Sequence, residues 1–370
     1  MSIAGLRIAL VGPLPPPPGG MANQTRQLAA LLEGEGARVT PVAVNAPYRP
    51  RWLARLRGVR ALFRLLPFLR RLWVVAGEVE IFHVMANSGW SWHLFAAPAI
   101  WIARIRGVPV VVNYRGGDAE SFLRRSGRLV AWTLHRASAL AVPSGFLEKV
   151  FAVHGLAATV VPNIIDLERF HPTEAARASD SHLVVARNFD PIYDIGTALR
   201  AFALVRNRVA NARMTIAGSG PERQSMIELA ARLGVSQCVH FCGQLDHAAM
   251  GELYRSASVA LNPSRIDNMP NSVLEAMASG VPVVSTNAGG VPFIVRHEST
   301  ALLVPPGDPP AMAAAVLRVL LEKGLAERLA AAALADARQY GWSQVKARWA
   351  AVYESGLKKS PERDARGRTA

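Results

Sequence analysis

Apolar residues along this chain gather into short continuous runs rather than strict alternation. Arg7–Val11, Val39–Val44, Glu80–Met85, Val108–Asn113, Leu140–Pro143 and Thr159–Pro162 read as buried strands rich in valine, isoleucine and leucine. A second series follows at His182–Ala186, Arg213–Ala217, Val239–Phe241, Val259–Leu261 and Val281–Thr286. Helical patterns lie between them: Leu28, Leu31 and Leu32 share one face, and Leu94–Arg104, Ile195–Val209 and Arg223–Leu233 follow. An alanine-rich helix is predicted over Ala311–Leu334 and a last one over Trp342–Tyr353. Phe170–Ser181, with Pro172 and small polar residues, reads as a linker. Two series of strand–helix alternation predict an α/β fold of two doubly wound domains facing across a cleft. The expected boundaries are 1–172, 173–341, a closing helix at 342–357 and a disordered basic tail at 358–370.

The stretch Leu261–Val291 carries the most chemistry. Asn271–Ser279 reads as a short helix whose first residue can cap it and which Gly280 stops. Its free N–H groups attract phosphate. Glu275, one turn inside, can accept hydrogen bonds from a ribose diol, and Asp267 on the preceding loop can reach a sugar hydroxyl. A nucleoside diphosphate joined to a sugar fits that arrangement. Arg187 closes the first strand of the second series, where a guanidinium can grip a diphosphate and take up leaving-group charge. In the first series a strand runs into four prolines and Gly19-Gly20, a stiff loop that lets a ligand approach the backbone.

Other chemistries fit poorly. Gly218 and Gly220 are followed by Arg223 where a dinucleotide fingerprint needs Gly or Ala. There is no phosphate-binding P-loop, zinc-type spacing, Ser/His/Asp order or Asp-x-Asp pair. His83, His93, His135 and His240 are scattered and read as structural. Cys238 and Cys242 flank a strand and read as core residues of a reducing compartment.

With 51% of its residues apolar, the chain is globular, and 370 residues suffice for two cores. Net charge is +15, and residues 1–172 carry 20 Lys and Arg against 9 Asp and Glu. That excess suits nucleic acid, an anionic membrane surface or an acidic substrate. The Arg49–Trp73 stretch narrows the choice. Trp52, Leu56, Val59, Phe63 and Leu66 share a stripe edged by Arg51, Arg55, Arg57, Arg60 and Arg64, with no acidic residue throughout. Pro67 is expected to break or kink it before Arg70 and Arg71. Such a helix suits a membrane interface, against the alternative of a surface helix packed on its own domain. No secretory leader is read, and the longest apolar run, Leu94–Ala103, is about half a bilayer span.

Taken together, Pro18-Gly19-Gly20-Met21, Val161–Asp166, Arg187, Gly218–Pro221, Asn262-Pro263-Ser264, Glu275–Val284 and Gly289-Gly290-Val291 resemble the GT4-type retaining glycosyltransferases, glycosyltransferase group 1, of the GT-B fold. The resemblance runs nearly end to end. It implies two Rossmann-like domains, the first on the acceptor side and the second binding the nucleotide sugar, with the last helix crossing back to the first. Asp267 and Glu275 then form the family's paired acids at spacing eight. Glu275 is implied to bind the ribose, Asp267 the donor sugar, the backbone of Asn271, Ser272 and Val273 the phosphates, and Arg187 the diphosphate. Gly19 and Gly20 would approach the same phosphates. Arg187 and Asp267 are the expected catalytic residues, with no metal and no cofactor beyond the donor. Three departures stand out: Asp replaces Glu at 267, the phosphate-binding Lys has no counterpart (Tyr193 falls nearest), and Tyr114-Arg115 stands where a His is common.

The expected activity is retaining transfer from a UDP- or GDP-sugar to a lipid-linked or polysaccharide acceptor. The expected place is the inner face of the cell membrane, in exopolysaccharide, lipopolysaccharide or glycolipid assembly. The alternatives are a non-catalytic nucleotide-sugar binder, a nucleotide-sugar epimerase and, on the basic first half alone, a sugar transferase acting on nucleic acid, which the reading disfavours.

Overall fold

The computed structural model describes residues 2–16, 20–47, 60–172 and 181–359. It separates into two compact units, Met1–Ile164 with Val345–Ala370, and Ile165–Gln344.

In the first unit, β1 (Arg7–Gly12), β2 (Arg38–Ala43), β3 (Ile81–Ala86), β4 (Val110–Tyr114), β5 (Ala139–Val142) and β6 (Thr159–Val160) form a sheet ordered β2-β1-β3-β4-β5-β6. All pairings are parallel, because each helix returns the chain to the start of the next strand. The central strands are buried on both faces, which is why they read as unbroken apolar runs. Helices α1 (Gly20–Gly34), α2 (Arg60–Val75), α3 (Ala97–Ile105), α4 (Ala119–Leu134) and α5 (Gly145–Val153) follow the strands in turn. Ala119–Leu134 and Gly145–Val153 were not anticipated; Ser126 and Gly127 amid three arginines obscure the period of the first.

Helix α2 continues through Pro67 without the expected break. Pro67 is exposed, so the hydrogen bond it cannot make falls on the solvent side, where water can take the freed carbonyl. Phe68, Leu72 and Val75 are its core positions, whereas Phe63 and Leu66 of the predicted stripe point outward. Trp52, Leu56, Val59, Arg51, Arg55 and Arg57 lie outside the described residues.

The last helix, α12 (Trp342–Lys358), packs on this unit. Trp349 and Tyr353 are fully buried, with the Trp349 ring 4.7 Å from His83. Asn113 Nδ2 donates to His83 Nε2 at 3.0 Å, which puts the proton on Nδ1, 2.8 Å from Tyr353 Oη. Burial, helped by the charge of Arg115, lowers the His83 pKa to about 3, so it stays neutral and structural. The helix extends through Lys358, two residues of the expected tail are ordered, and 360–370 lie outside the described residues.

The second unit holds β7 (His182–Ala186), β8 (Arg213–Ala217), β9 (Val239–Gly243), β10 (Val259–Asn262), β11 (Val283–Thr286) and β12 (Leu302–Val304), ordered β12-β11-β10-β7-β8-β9 and again parallel. Its helices are α6 (Ile195–Arg206), α7 (Arg223–Arg232), α8 (His247–Arg255), α9 (Asn271–Ala278), α10 (Pro309–Leu321) and α11 (Leu325–Ala337). The predicted Ala311–Leu334 helix is therefore two, broken where Gly324 takes φ +78°. The unit begins at Ile165 rather than at the expected 173. Ile165 N–H bonds the Tyr340 carbonyl at 3.0 Å, and Phe170 packs edge-on to Tyr254. Phe170 is thus core and not linker, and 173–180 lie outside the described residues.

Candidate active site

The strand order of the second sheet reverses between β7 and β10. Loops leaving their carboxyl ends diverge there, and in doubly wound sheets that is where ligands bind. Arg187 is the first residue after β7; Ser264 and Asp267 follow β10. Arg187 Nη2 donates to Ser264 Oγ at 3.0 Å and pairs with Asp267 Oδ2. Both side chains of the ion pair are only 11% exposed. The Tyr193 ring covers the guanidinium at 4.1 Å. Arg187 Nε is buried with no partner among the described residues. Burial lowers the Arg187 pKa, while Tyr193, Tyr254 and Glu275 oppose the shift.

The loops that hold these groups explain the glycine pattern. Arg187 N–H bonds the Ala217 carbonyl and Phe189 N–H the Ser219 carbonyl, both at 3.0 Å. A Cβ on Gly218 would lie 2.0 Å from the Arg187 carbonyl oxygen, so this glycine loop exists to let two backbones touch. Gly289, at φ +55°, does the same for Asp267, whose carbonyl would meet a Cβ at 2.2 Å and accepts from Gly290 N–H at 2.7 Å. Ser264 Oγ donates in turn to Asn262 Oδ1 at 2.8 Å, and Asn262 Nδ2 to Ser285 Oγ at 3.0 Å. The Arg187 end of the site is thereby tied to both neighbouring strands.

Helix α9 starts from Pro270, not from an asparagine cap, and Pro270 supplies no side-chain bond. Asn271, Ser272 and Val273 form its first turn as expected, but Val273 N–H is committed to the Pro270 carbonyl at 3.1 Å. Ser272 Oγ is buried without a partner among the described residues, a second orphan near the helix start. Glu275 projects from the next turn. Tyr254 Oη, on α8, lies 3.1 Å from the Ser272 carbonyl and 3.4 Å from Glu275 Oε2, and shares its one proton between them. Burial raises the Glu275 pKa to about 7, against the lowering effects of the Tyr254 hydroxyl and the Arg187 charge. Tyr254 was missed by sequence reading; it lies on a separate helix and no local pattern marks it.

Of the residues expected in the first unit, Gly20 opens α1 at the carboxyl edge of its sheet. A Cβ there would meet nothing within 4 Å, so packing does not require the glycine. Gly19 lies outside the described residues. Arg115 bonds Asn113 Oδ1 at 2.9 Å and Asn163 Oδ1, and burial lowers its pKa to about 10. Cys238 and Cys242 are free thiols, half-buried. Among the described residues no group of three or more His, Cys, Asp or Glu side chains is placed to hold a metal.

Comparison with known proteins adds the family. Residues 18–169 match the family described as Glycosyltransferase Family 4, and residues 181–322 match Glycosyl transferases group 1. The phosphatidyl-myo-inositol mannosyltransferase of Mycobacterium leprae is 26% identical over 360 residues, 91% of this chain and 93% of that protein. A D-inositol 3-phosphate glycosyltransferase of Streptomyces bingchenggensis is 30% identical over 259 residues, 65% of this chain but only 55% of that protein. Among solved structures, sucrose-phosphate synthase from Thermosynechococcus elongatus superposes with TM-score 0.76 at 20% identity, covering 94% of this chain and 98% of that one. Anabaena HepE, solved with UDP and glucose, superposes with TM-score 0.75 at 18% identity, covering 95% and 100%. With both family segments present in order and the two parallel sheets of that fold around them, the chain belongs to the GT4 glycosyltransferases of the GT-B type.

Proposed function

We propose that this chain is a retaining glycosyltransferase that moves a hexosyl group from a UDP- or GDP-sugar to a lipid-linked acceptor at the inner membrane surface. The observation that carries the donor half is Arg187, held at the strand-order reversal with its Nε buried and unpartnered. A buried orphan donor on a guanidinium awaits an anion. Ser272 Oγ at the start of α9 is the second such atom, and Glu275 on the same helix is the residue assigned to accept from a ribose diol.

In the reaction, the bond from the anomeric carbon to the diphosphate oxygen breaks and its electron pair stays on the diphosphate. Arg187 and the α9 N-terminus stabilise that charge. The acceptor hydroxyl enters on the same face, forms the new C–O bond and passes its proton to the departing diphosphate. Asp267, paired with Arg187 at rest, exchanges toward the donor sugar hydroxyls as the diphosphate takes the guanidinium. No side chain acts as nucleophile and no divalent metal is used.

The membrane half rests on α2. Phe63, Leu66 and Trp73 are 47%, 64% and 46% exposed beside Arg70 and Arg71, and the Mycobacterium leprae relative is named for a phospholipid acceptor. Among the described residues no helix is long and apolar enough to cross a membrane, so the surface contact would be peripheral. Transfer assays with a panel of nucleotide sugars and lipid-linked acceptors test the whole reading. Turnover and donor affinity left intact in Glu275→Ala would show that the site is misassigned; a new sugar nucleotide from donor alone would make it an epimerase.

A further inference from the structure

Three successive helices of the first unit end at the same edge of its sheet. Because all strands are parallel, the connections from α2 to β3, α3 to β4 and α4 to β5 lie at the amino edge, opposite the glycine loop and the strand ends that face ligands in this fold. At this edge sit Trp73, Trp101 and Trp132. Arg106 stacks over Trp73 at 4.9 Å. Trp101 and Trp132 lie 4.5 Å apart, and Arg136 covers both, at 4.9 and 4.4 Å. Arg136 Nη1 also caps the end of α4 by donating to the Trp132 carbonyl at 2.6 Å.

Beside this cluster opens a pocket of about 660 Å³. Its walls are the α3–β4 and α4–β5 connections and the end of α12. Arg104, Arg136, Lys359 and His135 line it, and among the described residues no carboxylate does. Cations from three separate elements converging with no acidic partner among the described residues repel one another, an arrangement that an anion relieves. The rim is apolar: Ile105 is 67% exposed, Leu129 52% and Trp132 49%. A free anion uses the cations only; an anion carrying a hydrocarbon tail uses the rim as well. Tryptophan with stacked arginine is the pairing that suits a bilayer interface.

We infer that this pocket seats the phosphate of an anionic phospholipid headgroup, with Trp132, Ile105 and Leu129 entering the interface around it. The inference rests on the membrane reading above and gives it a second anchor, separate from Phe63 and Leu66. The full chain is tested by flotation with phosphatidylcholine vesicles and with vesicles also containing phosphatidylglycerol. Arg104→Gln/Lys359→Gln changes two exposed side chains outside the donor site. At about fivefold per cation near an anionic surface, it should lower partitioning onto the mixed vesicles roughly 25-fold. Its melting temperature and donor affinity should stay unchanged, and Trp132→Ala should weaken partitioning onto both the variant and the wild-type background.

Wild-type flotation matched by the double variant but lost in Phe63→Ser/Leu66→Ser overturns the pocket and leaves the membrane reading standing. No flotation of wild type overturns both. Calorimetric binding of inorganic phosphate that the double variant loses, without wild-type flotation, assigns the pocket to a free anion and overturns the lipid.

Discussion

If Glu275 holds the donor ribose as proposed, its raised pKa makes donor binding a function of pH. Only the ionised carboxylate accepts two hydrogen bonds from a ribose diol, and charge-assisted bonds are about twice as strong as neutral ones. With a pKa of about 7, roughly one tenth of the free protein has Glu275 ionised at one unit lower, and roughly nine tenths at one unit higher. Donor Kd should therefore rise about tenfold from pH 8 to pH 6, equivalent to about 1.4 kcal/mol, and level off above 8. Binding at the acid end should release close to one proton.

Isothermal titration of the UDP- or GDP-sugar that binds, repeated in buffers of different ionisation enthalpy, reads both quantities. A nucleotide sugar suits the measurement because it has no group of its own titrating near neutral pH, unlike a free nucleoside diphosphate. Glu275→Gln should bind more weakly and lose the pH dependence. Tyr254→Phe removes a hydroxyl that favours the ionised form, so its profile should move to higher pH. Affinity that is flat from below to above pH 7, or that falls as pH rises because the diphosphate repels the carboxylate, refutes the ribose assignment.

The same ionisation has a folding consequence. Glu275 goes from an ordinary 4.5 to about 7 in the folded chain, so the folded state holds a proton that the unfolded state has lost, and stability falls as pH rises across that window. Glu275→Gln should be the more stable protein above pH 7, by at most about 3 kcal/mol, with the advantage vanishing near the unfolded pKa in thermal melts. Arg187→Lys should reduce kcat/KM about 100-fold or more in steady-state transfer, since an ammonium lacks the planar fork that pairs with Asp267 at rest and with the diphosphate once the donor is bound. Gly218→Ala forces a methyl against the Arg187 carbonyl, and should cost about 3 kcal/mol by urea unfolding while weakening donor binding. Trp349→Ala empties the seat between His83 and Tyr353 and should cost about 3–5 kcal/mol. Tyr193→Leu should lower kcat/KM about tenfold through the lost ring face, and Tyr193→Phe much less.

Much of this fold is legible because parallel strands buried on both faces write themselves as valine and isoleucine runs, as at Val283–Thr286. Glu275 was legible for a similar reason: its helix, its stop at Gly280 and the strand beyond are all local. Leu302–Val304 was not, since three residues carry no period. The Ala311–Leu334 pattern hid a break because alanine suits a helix on either side of Gly324. Inside the site, the Arg187–Asp267 pair joins residues 80 apart, and Tyr254 reaches Glu275 from another helix. Those contacts depend on which strand ends are neighbours, which follows from sheet order and not from spacing along the chain.

Sheet order also gives the departures at 193 and 267 a common sense. On the proposed reading, without the lysine that the family pattern has nearby, Arg187 would meet a diphosphate with its orientation already fixed. Tyr193 supplies that by covering one face of the guanidinium, and Ser264 and Asp267 hold one end of it through Nη2. What is left unengaged is Nε, buried and without a partner among the described residues. A flexible second cation would add charge but also the entropy of ordering it; a ring stacked at 4.1 Å adds little charge and leaves less to order. On the proposed reading Asp267 pairs with Arg187 at rest and turns toward a sugar hydroxyl when the donor binds, and the bond its carbonyl accepts from Gly290 N–H holds the backbone from which that shorter side chain would turn.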